Sequence, residues 1–379
     1  MISLSLTEEQ QALRQLARQF GENEIAPLAA EYDREARHPL PIIEKAHGLG
    51  FMNMTVPESY GGAGLGMIET CLVTEELAAA CAGIGTAIMA NTLALTPLLI
   101  AATAEQMQRF VGPFCAEPNL AALCMTEPQA GSDVGAITTV ARRDGDRYVL
   151  NGTKTLIDNG GVAQLYSVFA STDLDQGVRG IAAFVVPADL AGVSAGKQED
   201  KMGQRAINTS EVIFEEVAIP VENRLGEEGE GFQIFLETLN RNKPWIAAAS
   251  VGVARAALEA ATKYAQEREQ FGRPIASFQA IQLKLANMAI KIEAARLLTW
   301  QAAWLADQEL RHARQSAIAK CYASDIAMEV TTDAVQVFGG YGYVKEYPVE
   351  KYMRDAKAFQ IYTGTNEIQR YLIAQDLLD

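Results

Sequence analysis

The sequence predicts an α+β chain of three consecutive units: a helical first unit, a β-barrel-like middle and a C-terminal four-helix bundle. Three observations predict this. Apolar residues recur at helical spacing up to about residue 117, and short β-branched runs divided by turns fill the next hundred residues. From Gly231 onward the helical pattern runs in stretches longer than the average globular helix. The units are set at 1–118, 119–229 and 230–379, and a chain of 379 residues is too long for one small core.

In the first unit Thr7-Glu8-Glu9-Gln10 reads as a capping box, and Leu13, Leu16, Ala17 and Phe20 follow on one helical face. The turn Gly61-Gly62-Ala63-Gly64 separates the early helices from a long Ala-rich pair. In the middle unit the runs Tyr148–Leu150, Tyr166–Phe169, Ala183–Val186 and Glu211–Phe214 are strands, with turns at Asp144-Gly145-Asp146 and Asn151-Gly152. In the last unit Trp245–Glu267, Phe278–Glu309 and His312–Phe338 are long helices, of the kind that pack as a bundle and cover spare apolar faces by oligomerising.

Composition narrows the function. With 47 acidic against 32 basic residues the net charge is −15, and a nucleic-acid ligand, which needs a basic face, is excluded. A few cations and helix N-termini can still hold a small anion. The five cysteines form no CxxC pair and no secretory leader is read, so the thiols are expected reduced and mostly buried, in the cytoplasm. The three histidines lack metal-ligand spacing, so no metal is expected. The most apolar stretch, Thr86–Ala102, is interrupted by Asn91 and Pro97; it reads as a buried helix too short and broken to span a membrane.

Five segments carry chemistry. Leu123-Cys124-Met125-Thr126-Glu127-Pro128-Gln129-Ala130-Gly131-Ser132-Asp133 lets backbone N–H groups approach a planar or phosphorylated ligand, or is a plain strand connection. Asn151–Gly161 reads alone as a hairpin and turn. Arg268-Glu269-Gln270-Phe271-Gly272-Arg273-Pro274 closes a helix with cations in its last turn. Gln336–Tyr343 is a helix stop, and Arg354-Asp355-Ala356-Lys357 leads into Ile361-Tyr362-Thr363-Gly364-Thr365-Asn366-Glu367-Ile368-Gln369-Arg370.

These segments, in this order and with the Val56–Gly62 turn, resemble the acyl-CoA dehydrogenase family over essentially the whole chain. The resemblance implies a homotetramer with one FAD per subunit between the middle and C-terminal units. It assigns Leu123, Met125, Thr126, Gly131, Ser132, Leu156 and Asp158 to the isoalloxazine side. It assigns Arg268 and Phe271 to a neighbouring subunit's FAD and Gln279 to cofactor binding, with Gln336, Gly339, Gly340, Thr365 and Glu367 completing the dinucleotide site. Ser132, Asn240, Asn242, Lys243 and Gly364 are implied for the acyl-CoA thioester, and electron-transfer flavoprotein is the implied partner. Flavin supplies the redox chemistry, and the protein supplies a base, hydrogen bonds to the thioester carbonyl and exclusion of water.

The chain departs from the family at the base. The glutamate of the family's Tyr-Glu-Gly-Thr motif is Thr363 here, and the alternative slot on the first bundle helix is Asn242. Neither side chain titrates near neutrality. Three readings follow: a catalytically silent scaffold, a base-free desulfination or decarboxylation, or a base placed elsewhere. The third resembles the cyclohex-1-ene-1-carboxyl-CoA dehydrogenases, where a 1,4-elimination to the conjugated diene takes a proton from C3. Their aspartate matches Asn91, so Asn91 is the candidate catalytic position alongside Thr363. It is either a packing amide or the replacement of an aspartate. Asp158 stands where relatives carry Thr, and Leu156 where an aromatic is common. Asp158 is either a turn residue or a carboxylate near flavin N5.

Overall fold

The computed structural model describes residues 5–378. The first unit opens with α1 (Glu8–Phe20), capped as expected: the Thr7 hydroxyl accepts the Gln10 N–H and the Gln10 side chain accepts the Thr7 N–H. Then come α2 (Ala29–Glu35), α3 (Leu40–Gly48), α4 (Met67–Ala80), α5 (Ala82–Ala101) and the short turns α6 (Ala104–Gln106) and α7 (Gly112–Ala116). The expectation that α5 is too short and broken to span a membrane does not hold. The helix runs 20 residues through Asn91 and Pro97, long and apolar enough by composition, yet 78% of its most apolar window is buried inside the fold.

The middle unit is an eight-stranded sheet in the order β6-β7-β3-β2-β4-β5-β8, with β1 added parallel to β4. The strands are β1 (Ala121–Cys124), β2 (Val140–Asp144), β3 (Arg147–Asp158), β4 (Leu165–Ser171), β5 (Ile181–Pro187), β6 (Val193–Gln198), β7 (Thr209–Pro220) and β8 (Arg224–Leu225). Asn151-Gly152 is not the turn its sequence predicts. It lies inside β3, where the register against β7 shifts between Leu150 and Gly152. Gly152 is required because Thr139 Oγ1 stands 2.4 Å from where a Cβ would sit. The bulge keeps the strand running to Asp158.

The third unit contains α8 (Gly231–Glu267), the small hairpin β9 (Glu269–Gln270) and β10 (Arg273–Pro274), α9 (Gln279–Asp307), α10 (Ala313–Phe338), α11 (Val349–Phe359) and α12 (Asn366–Leu378). Helix α8 starts fourteen residues before Trp245, because it carries Pro244 in its interior instead of starting after it. Proline there leaves one carbonyl without its helical donor, a cost borne by the packing of a buried helix. Buried Glu75 and Glu76 on α4 tie the units together. Arg14 and Arg18 of α1, Arg255 of α8 and Arg296 of α9 all close on them.

Candidate active site

The loop after β1 is fixed by a buried ion pair. Lys154 Nζ donates to Glu127 Oε1 at 2.8 Å and to the Met125 carbonyl at 2.9 Å. Glu127 also accepts the Thr138 N–H at 2.7 Å and the Thr139 N–H at 3.0 Å. Burial pushes the Glu127 carboxyl up, but Lys154 and these donors outweigh it and hold it at about 2. The Thr155 N–H donates to the Thr126 carbonyl at 2.9 Å, so Leu123, Met125 and Thr126 stand beside the end of β3. Gly131 and Ser132 are exposed at the tip, and a Cβ on Gly131 would meet nothing within 4 Å.

At the end of β3, Leu156 adopts a left-handed backbone (φ 56°) and its side chain is exposed. Asp158 is half-buried and accepts the Thr209 hydroxyl at 2.6 Å. Burial raises its carboxyl, while Thr209 and Lys201 pull the other way. The buried Tyr362 hydroxyl lies near Gln204 and Thr86, within electrostatic range of Asp158. The turn carrying Thr363 therefore lies within electrostatic range of the end of β3.

That turn is held from beneath. Lys320 of α10, fully buried, donates to the Gly364 carbonyl at 2.8 Å and to Asn366 Oδ1 at 3.0 Å. Burial lowers its ammonium to about 7. Thr363 has φ 54°, an outlier for a β-branched residue, and such strain marks turns shaped for function. Thr365 and exposed Glu367 follow at the start of α12. Sequence reasoning missed Lys320, although Ala317, Lys320, Ser324 and Ala327 share one buried helical stripe and a lysine there is anomalous.

The assigned asparagines are engaged elsewhere. Asn91 Nδ2 donates to the Asn119 carbonyl at 2.8 Å and to Asn53 Oδ1 at 3.3 Å, while its Oδ1 accepts the Ala121 N–H at 2.8 Å. Both polar atoms of this fully buried amide take part in bolting α5 to the start of β1. These bonds match the packing role that the sequence allowed for Asn91. Asn242 is likewise spent: its Nδ2 donates to Thr96 Oγ1 at 2.9 Å and the Thr238 carbonyl at 2.8 Å, and its Oδ1 accepts Trp245 Nε1 at 2.6 Å. Lys243 is buried and donates to Asn240 Oδ1 at 2.9 Å; burial lowers it to about 8.

A second cluster lies at the far end of α10. A cavity of about 850 Å³ is lined by Tyr264, Arg268, Gln270, Phe338, Gly339, Gly340 and Tyr341, among others. Positive φ at Phe271 (54°) and Gly272 (76°) turns the β9–β10 hairpin, leaving Phe271 93% exposed against the edge of Phe278, which precedes exposed Gln279. Gln336 is exposed near the end of α10, and a Cβ on Gly339 or Gly340 would meet nothing within 4 Å. The Arg268 guanidinium sits 5.5 Å over the Tyr341 ring, with no ion pair to a carboxylate among the described residues. A free guanidinium beside bare glycine backbone suits a pyrophosphate. These residues fit a dinucleotide's phosphates and adenosine, and the loop at Met125–Ser132 with Leu156 and Asp158 fits its flavin.

Comparisons with known proteins agree. Profiles of the acyl-CoA dehydrogenase N-terminal, middle and C-terminal domains match residues 7–118, 122–217 and 229–378. The mitochondrial short-chain specific acyl-CoA dehydrogenase of Mus musculus is 45% identical over 99% of this chain and 92% of its own. The short-chain specific enzyme of Clostridium acetobutylicum is 43% identical over 98% and 99%. Butyryl-CoA dehydrogenase from Megasphaera elsdenii superposes with a TM-score of 0.97 at 41% identity, covering 100% of both chains. A chain from a study of the electron transferring flavoprotein of Acidaminococcus fermentans and flavin-based electron bifurcation gives 0.97 at 46%, again over 100% of both. These relatives are short-chain and butyryl-CoA enzymes, and none is a cyclohexene-carboxyl-CoA dehydrogenase. The chain belongs to the acyl-CoA dehydrogenase family of FAD-dependent oxidoreductases.

Proposed function

We propose that this protein oxidises the CoA thioester of a compact acyl group and passes the electrons from FAD to an electron-transfer flavoprotein. The observation that carries the reading is a pair of buried lysines, Lys154 fixing the Met125–Ser132 loop against β3 and Lys320 fixing the Thr363 turn against α10. A compact acyl group fits the buried, hydrogen-bonded Asn242–Trp245–Thr96 unit at the thioester position implied at Asn240–Lys243. The short-chain specificity named for the relatives points the same way.

FAD, when bound, supplies the hydride-accepting chemistry. The chain's own residues orient the thioester and exclude water. Thr363 leaves the α-proton without a carboxylate acceptor at the family's usual place. That favours a second reading, in which the acyl group is an unsaturated ring whose acidic proton lies away from the α carbon. We also propose a homotetramer. Lys320, under the Thr363 turn, and Gly339 are separated by about 28 Å along α10, so one copy offers the two halves of a dinucleotide site at opposite ends of a helix. An absorption spectrum tests the cofactor, and anaerobic bleaching by a panel of acyl-CoAs tests the substrate. Butyryl-CoA and cyclohex-1-ene-1-carboxyl-CoA are the two informative members. A colourless protein that ignores added FAD would establish the scaffold reading instead.

A further inference from the structure

The acids packed near the Thr363 turn are mostly ion-paired: Glu127 with Lys154, Asp355 with Lys351 and Asp325 with Arg370. Asp158 is different. Its hydrogen-bond partner among the described residues is the Thr209 hydroxyl, and Lys201 acts on it only from a distance. We propose that Asp158 is the proton-exchanging residue of the redox site: its carboxylate takes up one proton when the bound flavin gains two electrons and gives it back when they leave. The inference rests on the flavin site proposed above.

The surroundings make a proton path. Lys201 Nζ donates to Thr209 Oγ1 at 2.9 Å, and that hydroxyl donates to Asp158 at 2.6 Å, so one side chain links the cation to the acid. Lys201 also donates to the Ile207 carbonyl at 2.5 Å, which fixes its reach. From the α2–α3 connection His38 faces Lys201; its Nδ1 accepts the Asn208 N–H at 3.2 Å, and its buried Nε2 has no partner. Tyr362 of the Thr363 turn lies within electrostatic range of Asp158, and Arg205, Asp355 and Glu199 act on Lys201. Asp355 is neutralised by Lys351 at 2.5 Å, and Arg205 by Asp200 at 2.5 Å.

Burial already disfavours the charged form of Asp158, whose residue is not wholly enclosed. Negative charge arriving beside it disfavours ionisation further. The electron and proton count closes. Substrate oxidation sends one hydride to the flavin and one proton to the medium. One proton from the medium binds Asp158. When two electrons pass on, the hydride's proton and the Asp158 proton both return to the medium.

Redox-difference infrared spectroscopy on the wild-type holoenzyme reads this directly. Reduction should produce a protonated-carboxyl band that is absent from Asp158→Asn and Asp158→Thr. Spectroelectrochemistry should show the wild-type potential falling more steeply with pH than either variant, by one proton per two electrons, about 30 mV per pH unit. Threonine gives a second non-titrating polar side chain if the asparagine variant loses FAD. A wild-type enzyme that gains no such band, or variants with an unchanged slope, overturn the assignment. A protein that binds no FAD, or whose FAD no acyl-CoA bleaches, instead overturns the function proposed above.

Discussion

Residue by residue, the site turns on what each polar atom has left to give. Asn91 is engaged at both polar atoms, its carbonyl serving Ala121 and its amide Asn119 and Asn53. Asn91→Asp therefore replaces a donor facing two oxygens with a carboxylate. We expect it to lose about 1–3 kcal/mol of stability, visible as a lower thermal midpoint, without any gain in ring oxidation. An aspartate variant that is equally stable and faster would restore the catalytic role. Thr363 is the opposite case, a left-handed turn residue held over Lys320 with no acid in its slot. Thr363→Glu should raise butyryl-CoA bleaching by roughly 10²–10⁴-fold, the range of a positioned general base. No change in that rate would mean that the turn does not face the thioester.

At the level of elements, β3 and its loop are built around groups that cannot be altered singly. An alanine at Gly152 would drive its Cβ into Thr139, with Oγ1 at 2.4 Å and Cα at 2.7 Å, at a φ of 152°. Gly152→Ala should cost about 1–3 kcal/mol, the usual range for overpacking, and a urea midpoint reads it. The same region sets the acid limit. Glu127, held at about 2 against an ordinary 4.5, contributes stability fully above 4.5 and loses it as pH falls toward 2. His38, lowered to about 4 from 6.5 by burial, then by Lys201, resists a proton that the unfolded chain accepts, so stability also falls from 6.5 to 4. Urea midpoints should decline steadily below pH 6.5, and Glu127→Gln should flatten the lower part of that decline. The three-unit order, the capping box at Thr7 and the long bundle helices were legible because periodicity and caps are local signals. The bulge at Gly152 and the start of α8 were not. A Gly inside a strand and a Pro inside a helix are tolerated only by what packs on them, here Thr139 and a buried bundle face. The motif segments were legible in order, but Lys154 and Lys320 became visible only once their carbonyl partners across the fold were in place.

On the scale of the whole molecule, the surface of α9 carries an exposed apolar stripe. Leu283, Ile290 and Leu297 recur every seven residues and are 58%, 67% and 46% exposed, a stripe along one face of a helix 29 residues long. A seven-residue apolar repeat is the seam by which helices pack against a partner helix. With a net charge of −15 the chain repels its own copies at long range, so association has to come from buried apolar contact. The free Arg268 and the nearly bare Phe271 ring lie at the other end of the bundle from the Thr363 turn, where a neighbour's cofactor would cover them. Ile290→Glu places a charge in the middle of the stripe. If α9 forms the contact between copies, light scattering should show this variant at half the wild-type mass or less. Its FAD should dissociate more readily, because the Arg268 half of the dinucleotide site is then no longer delivered by a partner. Arg268→Ala should weaken FAD retention with the oligomer intact, which separates loss of the ligand contact from loss of assembly. A wild-type protein that is monomeric with FAD fully bound would show that one copy completes the site alone.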